Sequence, residues 1–186
     1  VVAHDMQNGH QEAASLHRPV LPAETLAALA PRPGGRYLDG TLGMGGHAEA
    51  VLSAAPDTEL CGLDRDAQAL ALAGERLSPF GGRAHLFHHR YSDFAQALGE
   101  LGWTSVDGAL LDIGVSSMQL DTAERGFSFY SDGPLDMRMD RTQGITAADL
   151  LNTWSEKEIA RVIKEYGEEK WAARIASIIC EHRAKK

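Results

Sequence analysis

Four glycines fall within the seven residues 40–46, directly after a strand signal at Tyr37 and Leu38 and directly before a helix signal over 47–52. Asp39 stands where that strand ends. Glycines let a chain turn sharply, adopt left-handed dihedrals and bring bare backbone close to a ligand. A strand, a glycine turn and a helix N-terminus in succession are the usual seat of a nucleotide-like ligand, because the first amides of a helix have no intrahelical acceptor. Two familiar versions do not fit. A phosphate-binding P-loop needs a lysine after its last glycine, and Gly45 is followed by Gly46 and His47. The dinucleotide fingerprint G-x-G-x-x-G finds Gly43 and Gly45, but Gly46 follows at once and the third glycine is out of position.

The surrounding chain alternates strand and helix. Pro22 can open a helix carrying Leu26 and Leu29 on one face. After the turn and its helix, residues 59–63 read as a second strand ending at Asp64, and Asp66 is a good N-cap for an Ala/Leu-rich helix over 67–77. A weak third strand at 84–88, a helix from about 93 to 101 and a fourth strand at 106–111 with Asp112 at its tip complete the pattern. Such alternation predicts an α/β fold with a parallel sheet. From 122 to 145 the chain is rich in Gly, Pro, Asp, Arg and Met and reads as a long ordered loop. Helical signals follow from Thr146: a capping-box match at Ser155 and Glu158, an apolar face of Ile159, Val162 and Ile163, a break at Gly167, and a last helix carrying Trp171, Ile175, Ile178 and Ile179 into a basic end at Arg183, Lys185 and Lys186.

Net charge limits the partners. At −8 over 186 residues, the chain lacks the general excess of Lys and Arg that carries non-specific nucleic-acid affinity, so any nucleic-acid role rests on a local patch or on shape. Its two cysteines, Cys61 in a strand signal and Cys180 in a helix signal, suggest neither a disulfide framework nor a zinc site, and a reducing cytoplasm is expected. No apolar run reaches the roughly 18 residues of a membrane span, and no membrane role is expected. Residues 1–16 are polar and read as a disordered tail.

In open α/β sheets, ligands sit beyond the carboxyl ends of the strands, where Asp39, Asp64 and Asp112 would gather. Asp39, Gly43 and Gly45, spaced as an acid, three residues, Gly, one residue and Gly, resemble the first motif of class I S-adenosylmethionine methyltransferases, which usually has glycine where this chain has Thr41. Asp64, 19 residues past Gly45, is placed to accept from both ribose hydroxyls of an adenosine. Tyr91 can pack against the adenine or serve the core. Metal binding by the three acids is a rival reading, although a sulfonium ligand with an ammonium group also suits an acidic cradle. His88 and His89, being adjacent on a strand, face opposite ways and do not chelate one ion. His47 reads as a turn or cofactor contact.

Longer motifs sharpen the resemblance. Asp112-Ile113-Gly114-Val115-Ser116-Ser117 with Gln119 and Asp121, then Arg125-Gly126-Phe127-Ser128-Phe129, then the run from Asp132 to Met139, resemble the small-subunit ribosomal RNA cytosine-N4 methyltransferases, the RsmH or MraW family. His17, Pro19, Val20 and Leu21, the glycine turn from Asp39 to His47, and Tyr166-Gly167-Glu168-Glu169 match in the same order, so the resemblance covers everything from His17 onward. It implies a Rossmann-like class I methyltransferase core with a helical insertion subdomain, and S-adenosylmethionine as the methyl donor, leaving S-adenosylhomocysteine. Gly45, Gly46, His47, Asp64, Asp112 and Gln119 would contact the donor, with Tyr91 where the family usually has Phe. The implied substrate is a cytidine of 16S ribosomal RNA within the small subunit. Its exocyclic amine is a poor nucleophile, and Asp112 is the first candidate to accept from its N–H. Phe127, Phe129 or Tyr130 would stack the extruded base or pin the loop to the core, with Arg125 or Arg138 near phosphate.

The expected organisation is a tail over 1–16, a core with four strands over 17–121, and a loop and the start of the insertion over 122–186. Family members continue further, so the chain is expected to be a fragment with its fourth strand at an edge. A protein that binds S-adenosylmethionine without transferring methyl, or a methyltransferase acting on a small molecule or a protein, is the alternative. Oligomeric state is left open, a homodimer included.

Overall fold

The computed structural model describes residues 19–183. The expected tail over 1–16 and the basic end at Lys185 and Lys186 lie outside them. The chain divides into two compact units, one ending at Gly114 and the other beginning at Val115.

In the first unit four parallel strands, β1 (Arg36–Asp39), β2 (Glu59–Asp64), β3 (Ala84–His88) and β4 (Gly108–Leu110), lie in the order β3-β2-β1-β4. Leu38 lies opposite Cys61 on one side and Ala109 on the other, and Cys61 lies opposite His85. The helices are α1 (Pro22–Leu29), α2 (Gly46–Ala54), α3 (Ala67–Leu77) and α4 (Phe94–Glu100).

Successive strand residues face opposite ways, so Tyr37, Leu60 and Leu86 share one face of the sheet while Leu38, Cys61, Leu63 and Phe87 share the other. The first set packs with Val51, Leu52, Ala73 and Leu77 of α2 and α3 and with Leu26 and Leu29 of α1. The second packs with Ala97 and Leu98 of α4 and with Trp103. Covered on both faces, the sheet is the doubly wound, Rossmann-like arrangement that the alternation of elements predicts. Leu52, Leu60, Leu63 and Leu77 are each about 1% exposed or less, and burial of such a side chain contributes about 1.5–3 kcal/mol.

Several boundaries differ from the sequence reading. β4 holds three residues rather than six, since its pairing with β1 runs only from Gly108 to Leu110; Asp107 just before it donates its amide to the Arg36 carbonyl at 2.7 Å and accepts the Arg36 amide on its carboxylate at 2.9 Å. A turn of 3₁₀ helix, Tyr91–Asp93, precedes α4, which at Phe94–Glu100 lies within the expected 93–101. Asp66 caps α3 as expected, accepting from Gln68 N at 3.0 Å. Among the described residues β4 pairs with β1 alone and is an edge strand.

The second unit is helical: α5 (Ser117–Asp121), a 3₁₀ turn (Ala123–Arg125), α6 (Ala147–Thr153), α7 (Glu156–Glu165) and α8 (Ala172–Arg183). Ser116 caps α5 through a reciprocal pair with Gln119. The same device opens α6 with Thr146 and Asp149, and α7 with Ser155 and Glu158. Ile159 on α7 and Ala172 and Ala176 on α8 are buried, and Arg183 Nη1 donates to the carbonyls of Leu151 and Trp154 at 2.5 and 2.7 Å.

The long loop is ordered by its own polar residues. Arg125 is only 2% exposed, and its Nη2 donates to the carbonyls of Arg138 and Met139 at 3.1 and 2.9 Å. The Met137 amide returns a bond to the Arg125 carbonyl at 3.0 Å. Two stretches of backbone cross so closely at this neck that a side chain at Gly133 would strike the Ala123 carbonyl.

Candidate active site

The site begins at the carboxyl ends of β1, β2 and β4. Asp39 ends β1, Asp64 ends β2, and Asp112 follows β4 by two residues. Asp39 is 2% exposed, and its Oδ1 accepts from Thr41 N at 3.1 Å. Burial pushes its carboxyl up to about 7 against the pull of that amide, and the charges of Asp64 and Asp112 push it in the same direction as burial. Asp64 is half-buried. Burial raises its carboxyl too, while amides that donate to it hold it down.

Asp64 does more than the sequence suggests. Its Oδ2 accepts from Gly43 N at 2.7 Å and its Oδ1 from Asp66 N at 2.8 Å, so one side chain ties the glycine turn to the end of β2. A carboxylate has about four acceptor sites, so two amides leave it able to accept further hydrogen bonds.

The turn is held from every side. Gly40 N donates to Leu110 O at 3.0 Å and Leu42 N to Leu63 O at 2.9 Å. Gly43 and Gly45 sit at φ 54° and 78°, the left-handed region that side chains disfavour. Gly45 is the N-cap of α2 and gives it no side-chain cap, so the first helical amides keep their donors. Partial burial pushes the imidazole of His47, in that first turn, below its usual range, and the Asp112 carboxylate opposes the shift. Tyr91 is 50% exposed and lies beside the turn, with its Cβ 3.0 Å from where a Gly40 side chain would begin. Asp112 is exposed, and its amide donates to Thr41 Oγ1 at 2.7 Å. That Thr41 contact went unread, although the signal was present: a hydroxyl residue standing where the general motif has glycine.

Asp39, Gly43, Gly45, Gly46, His47, Asp64, Tyr91 and Asp112 thus all lie at the carboxyl-end side of the first unit. Gln119 belongs to the second unit, where it is buried and its Oε1 accepts from Ser116 N at 3.1 Å. Among the described residues, no three or more His, Cys, Asp or Glu side chains are arranged to hold a metal ion. His88 and His89 have separate partners: the first meets the Arg65 carbonyl at 3.0 Å and the second stacks on Phe87 at 6.0 Å.

The loop of the second unit corrects another expectation. Arg125 is a buried anchor and does not present its charge to a phosphate. Arg138 is partly exposed, but its guanidinium engages Asp136 at 2.7 and 3.0 Å. That pairing holds the Asp136 carboxyl down to about 2. Phe127 is half-buried, whereas Phe129 and Tyr130 are each 87% exposed with ring centroids 4.3 Å apart.

The sequence profile of the MraW methylase family matches residues 14–186. The chain belongs to that family. The ribosomal RNA small subunit methyltransferase H of Desulfovibrio desulfuricans is 68% identical over 170 residues, 91% of this chain and 52% of that protein. The proteins of the same name from Nitratidesulfovibrio vulgaris and Geotalea daltonii are 59% identical over 174 residues and 60% identical over 168. They are covered to 48% and 54%, so the chain spans about half the length of the curated relatives it matches. The MraW family match takes in both units, the glycine turn and the loop with its exposed aromatic pair.

Proposed function

We propose that this chain carries the S-adenosylmethionine site of a methyltransferase that modifies N4 of a cytidine in the 16S RNA of the small ribosomal subunit. The observation that carries the reading is the glycine turn of an MraW-family chain, whose Gly43 amide donates to the Asp64 carboxylate and whose Thr41 hydroxyl accepts from the Asp112 amide.

The residues present fit the donor. Bare backbone at Gly43 and Gly45 admits close approach, and the uncapped amides that open α2 suit a carboxylate. Asp64 retains acceptor capacity for ribose hydroxyls, and the exposed Tyr91 ring offers an apolar face to a purine. Asp64 and Asp112 give the cradle the negative potential that suits a ligand bearing a sulfonium and an ammonium, above the buried carboxyl of Asp39. When bound, S-adenosylmethionine supplies an electrophilic methyl group and departs as S-adenosylhomocysteine.

The chain's part is orientation and charge. The lone pair of a cytosine exocyclic amine is delocalised into the ring, and an acceptor drawing on its N–H returns electron density to nitrogen. Asp112, exposed at the tip of β4, is the proposed acceptor and takes up the proton released as the N–C bond forms. Holding the amine in line with the methyl group supplies much of the remaining rate. His47 is assigned to the turn rather than to base catalysis, because direct displacement at a sulfonium methyl needs little proton transfer. Phe129 and Tyr130 are the proposed contacts to unpaired bases, with Phe127 a further candidate for stacking and Arg138 a candidate phosphate contact.

Small subunits from cells lacking the modification, incubated with the full-length protein and donor labelled in its methyl group, test the reading. Label is expected in 16S RNA. Donor binding without label in the RNA would instead favour a binding module or another methyl acceptor.

A further inference from the structure

We propose that Thr41 is a positioning residue of the methyl-transfer site, acting through Asp112; the proposal rests on the methyl-transfer reading above. The hydrogen-bonded ladder between β1 and β4 ends at Asp39 and Leu110. Gly40 N extends it by one bond to Leu110 O at 3.0 Å. Beyond that point no strand remains to fix the chain, and Leu111, Asp112 and Ile113 are all exposed. The Thr41 side chain takes over where the ladder stops, its Oγ1 accepting from Asp112 N at 2.7 Å.

Thr41 is itself fixed from below. Its own amide donates to Asp39 Oδ1 at 3.1 Å, and Asp39 is buried. A chain of two hydrogen bonds therefore runs from the buried end of β1, through the main chain and hydroxyl of Thr41, to the main chain that carries the Asp112 carboxylate. A mobile Asp112 would bind donor and substrate about as well but present its carboxylate in the productive place less often. Loss of the hydroxyl should thus appear in turnover more than in donor affinity.

The test compares Thr41→Val, which keeps the shape and removes the acceptor, with Thr41→Ser, which keeps the hydroxyl, in the full-length protein. A neutral hydrogen bond of this kind corresponds to roughly a fivefold to tenfold effect. For Thr41→Val, kcat should fall by about that factor while donor affinity changes less than about twofold, and Thr41→Ser should restore most of the rate. Without RNA, the Asp112 amide should exchange its hydrogen about fivefold to tenfold faster in Thr41→Val and near the parent rate in Thr41→Ser. Parent-like turnover and exchange in Thr41→Val, or equal impairment of both variants, would overturn the assignment while leaving the methyl-transfer reading intact. No methyl transfer by the parent protein would overturn both.

Discussion

Asp64 accepts the Gly43 amide at 2.7 Å with one carboxylate oxygen and the Asp66 amide at 2.8 Å with the other. One acid therefore ties the glycine turn to the end of β2. Asp64→Ala should weaken donor binding strongly, by tenfold or more, since it removes the turn's anchor along with the ribose acceptor. Asp64→Asn, which keeps one oxygen acceptor, should fall between. Calorimetric titration checks this, and equal affinity in the parent and Asp64→Ala would remove Asp64 from the site.

Asp112 makes its contact through the main chain and leaves its carboxylate exposed. Asp112→Ala should therefore lower kcat by about a hundredfold, within the range for a general acid or base, with a smaller effect on donor affinity. Single-turnover kinetics beside equilibrium binding separate the two. A loss confined to affinity would assign Asp112 to the donor alone.

Asp39 makes stability depend on pH. Its carboxyl titrates near 3.8 when unfolded and at about 7 when buried, so its contribution is full below the first value and is lost as pH rises through the second. Asp39→Asn keeps an oxygen for the Thr41 amide without the buried charge. It should raise stability by a few kcal/mol at pH 8 and by little near pH 4, as measured by denaturant unfolding across that range. A constant difference across the range would contradict the assignment.

Arg125 holds the neck of the loop. Arg125→Leu leaves the Arg138 and Met139 carbonyls without this donor and should cost about 2–3 kcal/mol, with faster amide exchange over 126–140. Arg125→Lys should recover part of the loss, since an ammonium lacks the guanidinium's planar fork. Unchanged exchange in Arg125→Leu would mean that the loop is held by other contacts.

The parallel sheet was legible because buried strands and amphipathic helices alternate with clear stops, and the Asp66 and Ser155 caps have local signatures. β4 was overextended because its apolar run continues through Leu111, whereas the pairing ends at Leu110. Partnership across sequence was what composition could not convey. The bond from Asp112 to Thr41 spans 71 positions, and the burial of Arg125 depends on carbonyls 13 and 14 residues away. An arginine in an acidic loop reads as a surface cation until the fold supplies those carbonyls.

Transfer of methyl to N4 of a cytidine leaves a modified nucleoside with its own mass and fragmentation. After reaction of the full-length protein with donor and unmodified small subunits, the 16S RNA is digested and its nucleosides are identified by mass spectrometry. A new N4-methylated cytidine is expected, formed about a hundredfold more slowly when Asp112→Ala replaces the parent. A methyl group on another atom or another base, or none in RNA that is otherwise accessible, would contradict it.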